Sequence, residues 1–162
     1  MNQGKMYNIS WFPIVVFIST GVIILSLLGF VDWKEFSTNI LTFIANLIVS
    51  SVFMGYGIYL LRKRREGKGY YWDDEGIVID LKGNKVFWHE IEEIKYAVFH
   101  SSKSTVIHPH WRNHEKIAAR HSRKMPTPGH SIDWFMVERA KEMHEELMKT
   151  WEENRPETNF FF

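Results

Sequence analysis

The chain has 162 residues and no cysteine, which excludes disulfides, thiolate metal sites and cysteine nucleophiles. Its net charge of +1 conceals a division: residues 62–68 carry +4, whereas residues 69–162 carry 13 Lys or Arg against 16 Asp or Glu, a net −3. An acidic domain beside a short basic segment is not the charge pattern of a nucleic-acid-binding protein, so no nucleic-acid partner is predicted.

Two long runs without ionisable side chains lie near the N-terminus, at Phe12–Val31 and Ile40–Leu61. At about 1.5 Å per helical residue, each is long enough to cross the hydrocarbon core of a bilayer. Trp11 and Trp33 bracket the first run, as aromatic side chains do at membrane interfaces. The pattern predicts a transmembrane helical hairpin. A signal peptide is disfavoured because no small-residue cleavage motif follows the first run and a second run comes at once.

A basic segment follows the second run and predicts the orientation of the hairpin. It contains Arg62, Lys63, Arg64 and Arg65, which we interpret as a juxtamembrane anchor. Clustered Lys and Arg stay on the cytoplasmic side, so a multi-pass protein of the cell membrane is predicted, with the N-terminus and the C-terminal domain both cytoplasmic. Ser51 and Gly55 form a small-xxx-small pair that favours helix packing and leaves a homo-oligomer open.

After Lys68 the pattern changes to short β-branched and aromatic runs separated by turns. Strands are predicted around residues 70–72, 77–79, 86–88, 95–100 and 104–108, with a helix over 113–123. A long amphipathic helix is predicted from an N-cap at Ser131 to about Glu153, with one apolar stripe that includes Met143, Leu147 and Trp151. Strands followed by helices indicate an α+β domain.

Three segments of this domain carry a resemblance: residues 71–77 (YWDDEGI), 83–86 (GNKV) and 88–94 (WHEIEEI). Together they resemble the opening of bacterial pleckstrin-homology-like (PH-like) domains, which often follow a pair of transmembrane helices. The resemblance covers about a quarter of the chain and implies a seven-stranded barrel capped by a C-terminal helix. The residue pattern itself predicts five strands, and residues 112–130 have no counterpart in the resemblance.

Histidines and carboxylates are the candidates for chemistry. His108, His110 and His114 are weak candidates for a metal site, but no H-E-x-x-H pattern is present, so we predict neither a metal nor a cofactor. The carboxylates are interpreted as turn formers and a solvated face. No phosphate-binding glycine loop or nucleophile elbow occurs. The chain is therefore predicted not to be an enzyme.

A second basic cluster follows the strands, and its members are spaced four, four and three residues apart: Arg112, Lys116, Arg120 and Arg123. On one helix they would share a face, which would suit a lipid or partner contact. An ordinary solvated helix face is the competing interpretation.

The sequence thus predicts a membrane hairpin joined to an α+β cytoplasmic domain, with a PH-like strand meander capped by a helix. The predicted divisions are an N-terminus (1–11), a hairpin (12–61), a basic segment (62–68), the PH-like domain (69–153) and a flexible tail (154–162). The main functional hypothesis is a membrane-anchored, non-enzymatic module that contacts membrane lipids and binds a protein or an anionic lipid surface. The alternative hypothesis is a small immunity-type membrane protein that protects against a bilayer-acting toxin.

Overall fold

The computed structural model describes residues 5–27, 36–122 and 125–154. The described residues form two compact units, a helical unit within residues 10–67 and an α+β domain that combines residues 5–9 with those after residue 67. The sequence-based division treated residues 1–11 as a separate segment. The structure instead groups residues 5–9 with the α+β domain, although 58 residues separate them from it along the chain.

The helical unit contains α1 (Trp11–Leu27) and α2 (Phe36–Arg65). Within the described residues one helix, Ile40–Arg65, is long and apolar enough to cross a membrane, and α1 is a shorter apolar helix of 17 residues. The second predicted span, Ile40–Leu61, lies entirely inside α2. The last four residues of the first predicted span fall outside the described residues.

Small residues bring α1 and α2 into close contact. Gly21 lies against α2, where a Cβ atom would fall 2.4 Å from Cγ of Met54. The Ser50 hydroxyl donates a 2.8 Å hydrogen bond to the Gly21 carbonyl, and the rings of Phe17 and Tyr56 meet edge to face at 4.8 Å. Early residues of α1 meet late residues of α2, so the two helices run antiparallel.

The first sheet of the α+β domain has four antiparallel strands in sequential order. They are β1 (Tyr7–Asn8), β2 (Gly69–Trp72), β3 (Gly76–Val78) and β4 (Lys85–Phe87). Its turns use side-chain carboxylates as expected: Asp73 accepts the amide hydrogens of Glu75 and Gly76, at 3.0 and 3.1 Å. At the next turn Gly83 has φ +89°, which glycine adopts without steric cost.

The short strand β1 is held on several sides. It pairs with β2, and the Asn8 carbonyl accepts the Glu138 amide hydrogen at 3.0 Å. Tyr7 is buried against Trp72, with ring centroids 5.7 Å apart, and its hydroxyl donates to Glu146 at 2.5 Å. Burial and the neighbouring carboxylate raise the pKa of Tyr7 to about 12. Sequence patterning did not predict this strand.

The second sheet has three antiparallel strands, β5 (Ile91–Phe99), β6 (Ser102–Pro109) and β7 (His130–Asp133), with β6 in the middle. A 3₁₀ turn over Trp88–Glu90 joins the two sheets. A two-residue turn joins β5 to β6, and its first residue, His100, has φ +54°.

Two helices complete the α+β domain, α3 (His114–Arg120) and α4 (Ala140–Asn154). The long helix predicted from Ser131 was wrong in its first nine residues, because residues 130–133 form β7 and a 3₁₀ turn follows. Ile132 is fully buried and pairs with Thr105 on β6, whereas its neighbour Ser131 is exposed. Burial therefore alternates along this segment with the two-residue period of a strand. The helix begins only after Arg139, where φ is +52°.

The predicted stripe of α4 is buried as expected. Met143 and Leu147 are fully buried, and Trp151 and Ala140 are nearly so. They cover a core formed from both sheets. The fold is therefore α+β, with four helices and antiparallel sheets among the described residues.

Candidate functional site

The end of the β5–β6 hairpin exposes several large apolar side chains in the α+β domain. We call residues 96–103 the hairpin tip. Tyr96, Val98 and Phe99 are 46%, 55% and 77% exposed. Large apolar side chains that remain exposed in a contiguous patch commonly mark interaction sites.

β5 is also an edge strand. Over its nine residues it pairs with β6 on one side, and no other described strand lies on its second side. An edge strand presents unpaired backbone groups that can pair with a further strand. The hairpin tip therefore combines backbone groups open to pairing with apolar side chains on both faces of the strand.

A cavity of about 540 Å³ lies beside the hairpin tip. Its lining is Ser101, Ser102, Lys103, Asp133, Trp134 and Phe135. Apolar rings thus form part of the wall, while Lys103 and Asp133 supply one charge of each sign. Such a mixed lining suits an apolar side chain flanked by a polar backbone.

A buried hydrogen-bond network fixes the ring of Trp134 at this cavity. The Trp134 indole N–H donates to the Thr105 hydroxyl at 2.9 Å, and the same hydroxyl lies 3.0 Å from Nδ1 of His144. Thr105 is fully buried. A hydrogen bond donated by the Thr105 hydroxyl to Nδ1 requires an unprotonated Nδ1, as in a neutral His144. Burial lowers the pKa of His144 in the same direction.

At the opposite end of β5, the predicted contact residue Arg120 has a structural role. Its two terminal nitrogens donate to the two carboxylate oxygens of Glu90, at 2.8 and 2.6 Å. It also donates to the Lys85 carbonyl and covers the Phe87 ring at 4.5 Å. Burial raises the pKa of Glu90, but the bonds from Arg120 and the Phe87 amide outweigh it and hold that pKa below 4.5.

The described members of the second basic cluster have different surroundings. Arg112 lies in a 3₁₀ turn before α3, with its guanidinium 5.3 Å from the Trp111 ring centroid. Lys116 is exposed on α3, and the charge of Arg120 is paired. Arg123 lies outside the described residues. Of the predicted cluster, Lys116 and Arg120 therefore lie on α3 itself, and Arg112 precedes it in the 3₁₀ turn.

The candidate metal ligands use their ring nitrogens on nearby groups of the chain. Nδ1 of His108 lies 3.3 Å from the Pro128 carbonyl, and Nε2 of His114 lies 3.0 Å from the Pro109 carbonyl. His110 accepts from the Arg112 amide at 3.3 Å. Within the described part of the chain, no three metal-ligating side chains converge.

In the helical unit, the four basic residues that were predicted to form a juxtamembrane anchor lie in the last turn of α2. The guanidinium of Arg64 lies over the Trp11 ring at 4.6 Å, and the ammonium of Lys63 lies over the Tyr59 ring at 5.7 Å. Basic and aromatic side chains of this kind typify the end of a membrane span.

Sequence reasoning missed the hairpin tip, although the sequence carries a signal for it. The run from Tyr96 to Phe99 is apolar at four consecutive positions, where a strand with one buried face would alternate. Such a run places apolar side chains on both faces of β5. The cavity could not be read from the sequence, because Trp134 was assigned to a helix.

Comparisons with known proteins add no relative: no family model matches the chain, and neither a curated protein nor a solved structure matches it significantly.

Proposed function

We propose that this chain is a membrane-anchored, non-enzymatic interaction module. In this proposal α1 and α2 form a transmembrane hairpin, and the N-terminus and the α+β domain lie on the cytoplasmic side of the cell membrane. The domain binds a protein partner at the hairpin tip, and the anchor raises its local concentration at the membrane.

The pairing of β1 with β2 is the observation that carries this proposal. Tyr7 lies opposite Tyr70, and Asn8 lies opposite Gly69, so the chain leaves and rejoins one sheet. Two paired strands of one soluble sheet lie on the same side of a membrane. The intervening chain must then cross the membrane an even number of times. If α2 crosses once, α1 supplies the other crossing.

Exposure and charge in the helical unit support this reading. The fold leaves many apolar side chains of α1 and α2 exposed, among them Val15, Ile23, Leu41 and Val52. The four basic residues at the end of α2 favour the cytoplasmic side for that end. Because β1 and β2 are paired, the same side follows for residues 5–9.

The strand plan supports a PH-like reading of the α+β domain. Seven strands occur among the described residues, four in one antiparallel sheet and three in another, and α4 covers the core between them. The resemblance in the sequence implies that number of strands and a C-terminal helix. Two of the seven, β1 and β7, were absent from the sequence prediction.

The hairpin tip supports a protein partner in preference to an anionic lipid surface. Lys103 and Asp133 at the cavity cancel in charge, so nothing there selects an anion. An edge strand with exposed Val98 and Phe99 suits an extended apolar segment that adds a strand to the sheet. The proposed ligand is therefore an extended apolar segment of another protein.

Photo-crosslinking of the full chain in native membranes tests this proposal. Phe99 is replaced by benzoylphenylalanine, and Met125 carries the same probe as a control because it is equally exposed, at 76%. We expect a protein crosslinked from position 99 and not from position 125. Mass spectrometry should map the link to one extended apolar segment, and Val98→Ser should reduce the yield.

Other outcomes contradict the proposal in different ways. Equal yields from both positions would indicate nonspecific contact. Crosslinks from position 99 to lipid alone would move the contact to the bilayer surface. A third probe at Val52, exposed on α2, covers the immunity-type hypothesis. A partner captured there and not at position 99 would place function in the membrane and favour that hypothesis.

A further inference from the structure

One groove on α2 has no role in the proposed contact with a protein. Its volume is about 310 Å³, and its lining is Ile58, Leu61, Arg62, Arg65 and Glu66. These positions follow the spacing of three and four that places side chains on one face of a helix. Along this face the lining changes from apolar to basic.

The four basic residues of the cluster divide into two pairs. Lys63 and Arg64 lie over aromatic rings, at 5.7 and 4.6 Å. Arg62 and Arg65 line the groove and are solvent-exposed. No hydrogen bond or ion pair connects the side chain of Arg65 to another described residue.

Glu66 occupies part of the binding capacity of Arg62. Nε of Arg62 donates to the Glu66 carboxylate at 2.9 Å, and Lys63 lies 3.1 Å from its other oxygen. A guanidinium has five N–H donors, so the terminal nitrogens of Arg62 remain available to a second anion. Planar guanidinium groups bind phosphate oxygens in pairs, which makes phosphate a fitting ligand.

We propose that this groove binds an anionic phospholipid, with the headgroup phosphate between Arg62 and Arg65 and an acyl chain against Ile58 and Leu61. This inference rests on the proposed membrane anchor. The apolar run Ile40–Leu61 is about 33 Å long at 1.5 Å per residue, so the groove lies at the level where hydrocarbon gives way to headgroups.

Two double variants separate a defined site from diffuse attraction. Arg62→Gln/Arg65→Gln and Lys63→Gln/Arg64→Gln remove the same charge from the same turn of helix. Native mass spectrometry of the full chain in detergent measures binding of phosphatidylglycerol and of phosphatidylcholine with identical acyl chains. We expect the first variant to lower phosphatidylglycerol affinity by roughly 30-fold, since each basic residue near an anionic lipid contributes about 1 kcal/mol. The second variant should lower it by less than about threefold, because Lys63 and Arg64 lie over aromatic rings outside the groove.

Glu66→Gln should change phosphatidylglycerol affinity in the opposite direction. Removal of the competing carboxylate should raise phosphatidylglycerol affinity by about fivefold, on the same scale of about 1 kcal/mol for one charge. Excess inorganic phosphate distinguishes a lipid from a free anion. Phosphatidylglycerol should remain bound in its presence, because the acyl chain contributes to binding.

Three results would overturn the proposal: equal losses in the two double variants, displacement by inorganic phosphate, or no preference for phosphatidylglycerol. Sedimentation with vesicles of phosphatidylcholine alone tests the anchor separately. A chain that sediments with those vesicles but shows no lipid preference refutes only the groove. A chain that fails to sediment refutes the membrane anchor itself.

Discussion

The two ends of β5 differ in whether their side chains are buried and hydrogen-bonded or exposed to solvent. At its first end the carboxylate of Glu90, 3% exposed, accepts three hydrogen bonds from Arg120 and the Phe87 amide. At its last end Val98 and Phe99 project into solvent, and no other described strand pairs with the second edge of β5.

This difference separates what holds the domain together from what is available to a partner. A buried carboxylate with matched donors is costly to disturb, because a charge left without its partner remains desolvated. An exposed aromatic ring stabilises the fold little, since it is in water before and after folding. Arginines and aromatic residues therefore cannot be assigned a role by residue type alone.

The largest expected effect comes from the first end. Arg120→Ala should lower the free energy of unfolding of the domain by about 3 kcal/mol, because it leaves the Glu90 carboxylate buried without its cation. Denaturant unfolding of the full chain in detergent, followed by fluorescence of the buried Trp72 and Trp88, measures this change.

Arg112→Ala is the matched control, because that arginine is exposed and its guanidinium lies against the exposed ring of Trp111. Its effect should stay within about 0.5 kcal/mol, as for surface substitutions generally. Addition of Glu90→Gln to the Arg120 variant should recover part of the loss. If the two arginine substitutions lowered the free energy of unfolding equally, the ion pair with Glu90 would contribute no more to stability than an exposed arginine does.

The second effect concerns the network behind the cavity. Thr105→Val should lower the unfolding free energy by roughly 2 kcal/mol, because the indole N–H of Trp134 and Nδ1 of His144 both lose their partner. Thr105→Ser keeps the hydroxyl and should cost less. The same denaturant unfolding measurement applies, and a Ser variant as unstable as the Val variant would contradict this account.

A smaller effect is expected from pH. Burial holds the pKa of His144 below 6.5, so the unfolded chain binds a proton first as pH falls. Stability should be complete above about pH 6.5 and decrease below it. A further loss should begin below about pH 4.5, where Glu90 is protonated in the unfolded chain first.

The free energy of unfolding, measured from pH 8 to pH 3, tests both expected losses of stability. His144→Gln should remove the pH dependence of the unfolding free energy between about pH 7 and pH 5, the range around the ordinary histidine pKa. The loss of stability below about pH 4.5 should remain. If the variant still loses stability between about pH 7 and pH 5, another titrating group causes that loss.

Much of the local structure could be predicted from sequence, since it depends on neighbouring residues. The turns at Asp73 and Gly83 bound short β-branched runs, and the strands predicted there form. The buried stripe of α4 follows from its spacing alone. These signals are contained within a few residues.

The parts that sequence missed depend on distant partners. β1 is two residues long and becomes a strand only because β2 and residue 138 supply its hydrogen bonds. The spacing of apolar residues around Ile132 is compatible with a helix, but the segment forms β7 because it pairs with β6. Likewise, nothing near Arg120 in the sequence reveals that Glu90, thirty residues earlier, neutralises its charge.

The smallest effect on stability is expected at the second end of β5. Phe99→Ser should change the unfolding free energy by no more than about 0.5 kcal/mol, because the ring is 77% exposed. Ile94→Ala, on the same strand but 3% exposed, should cost about 2–4 kcal/mol through lost burial and the cavity left behind. Both are measured by denaturant unfolding of the full chain. A large loss from Phe99→Ser would make the hairpin tip part of the core, and the contrast between the two ends of β5 would no longer hold.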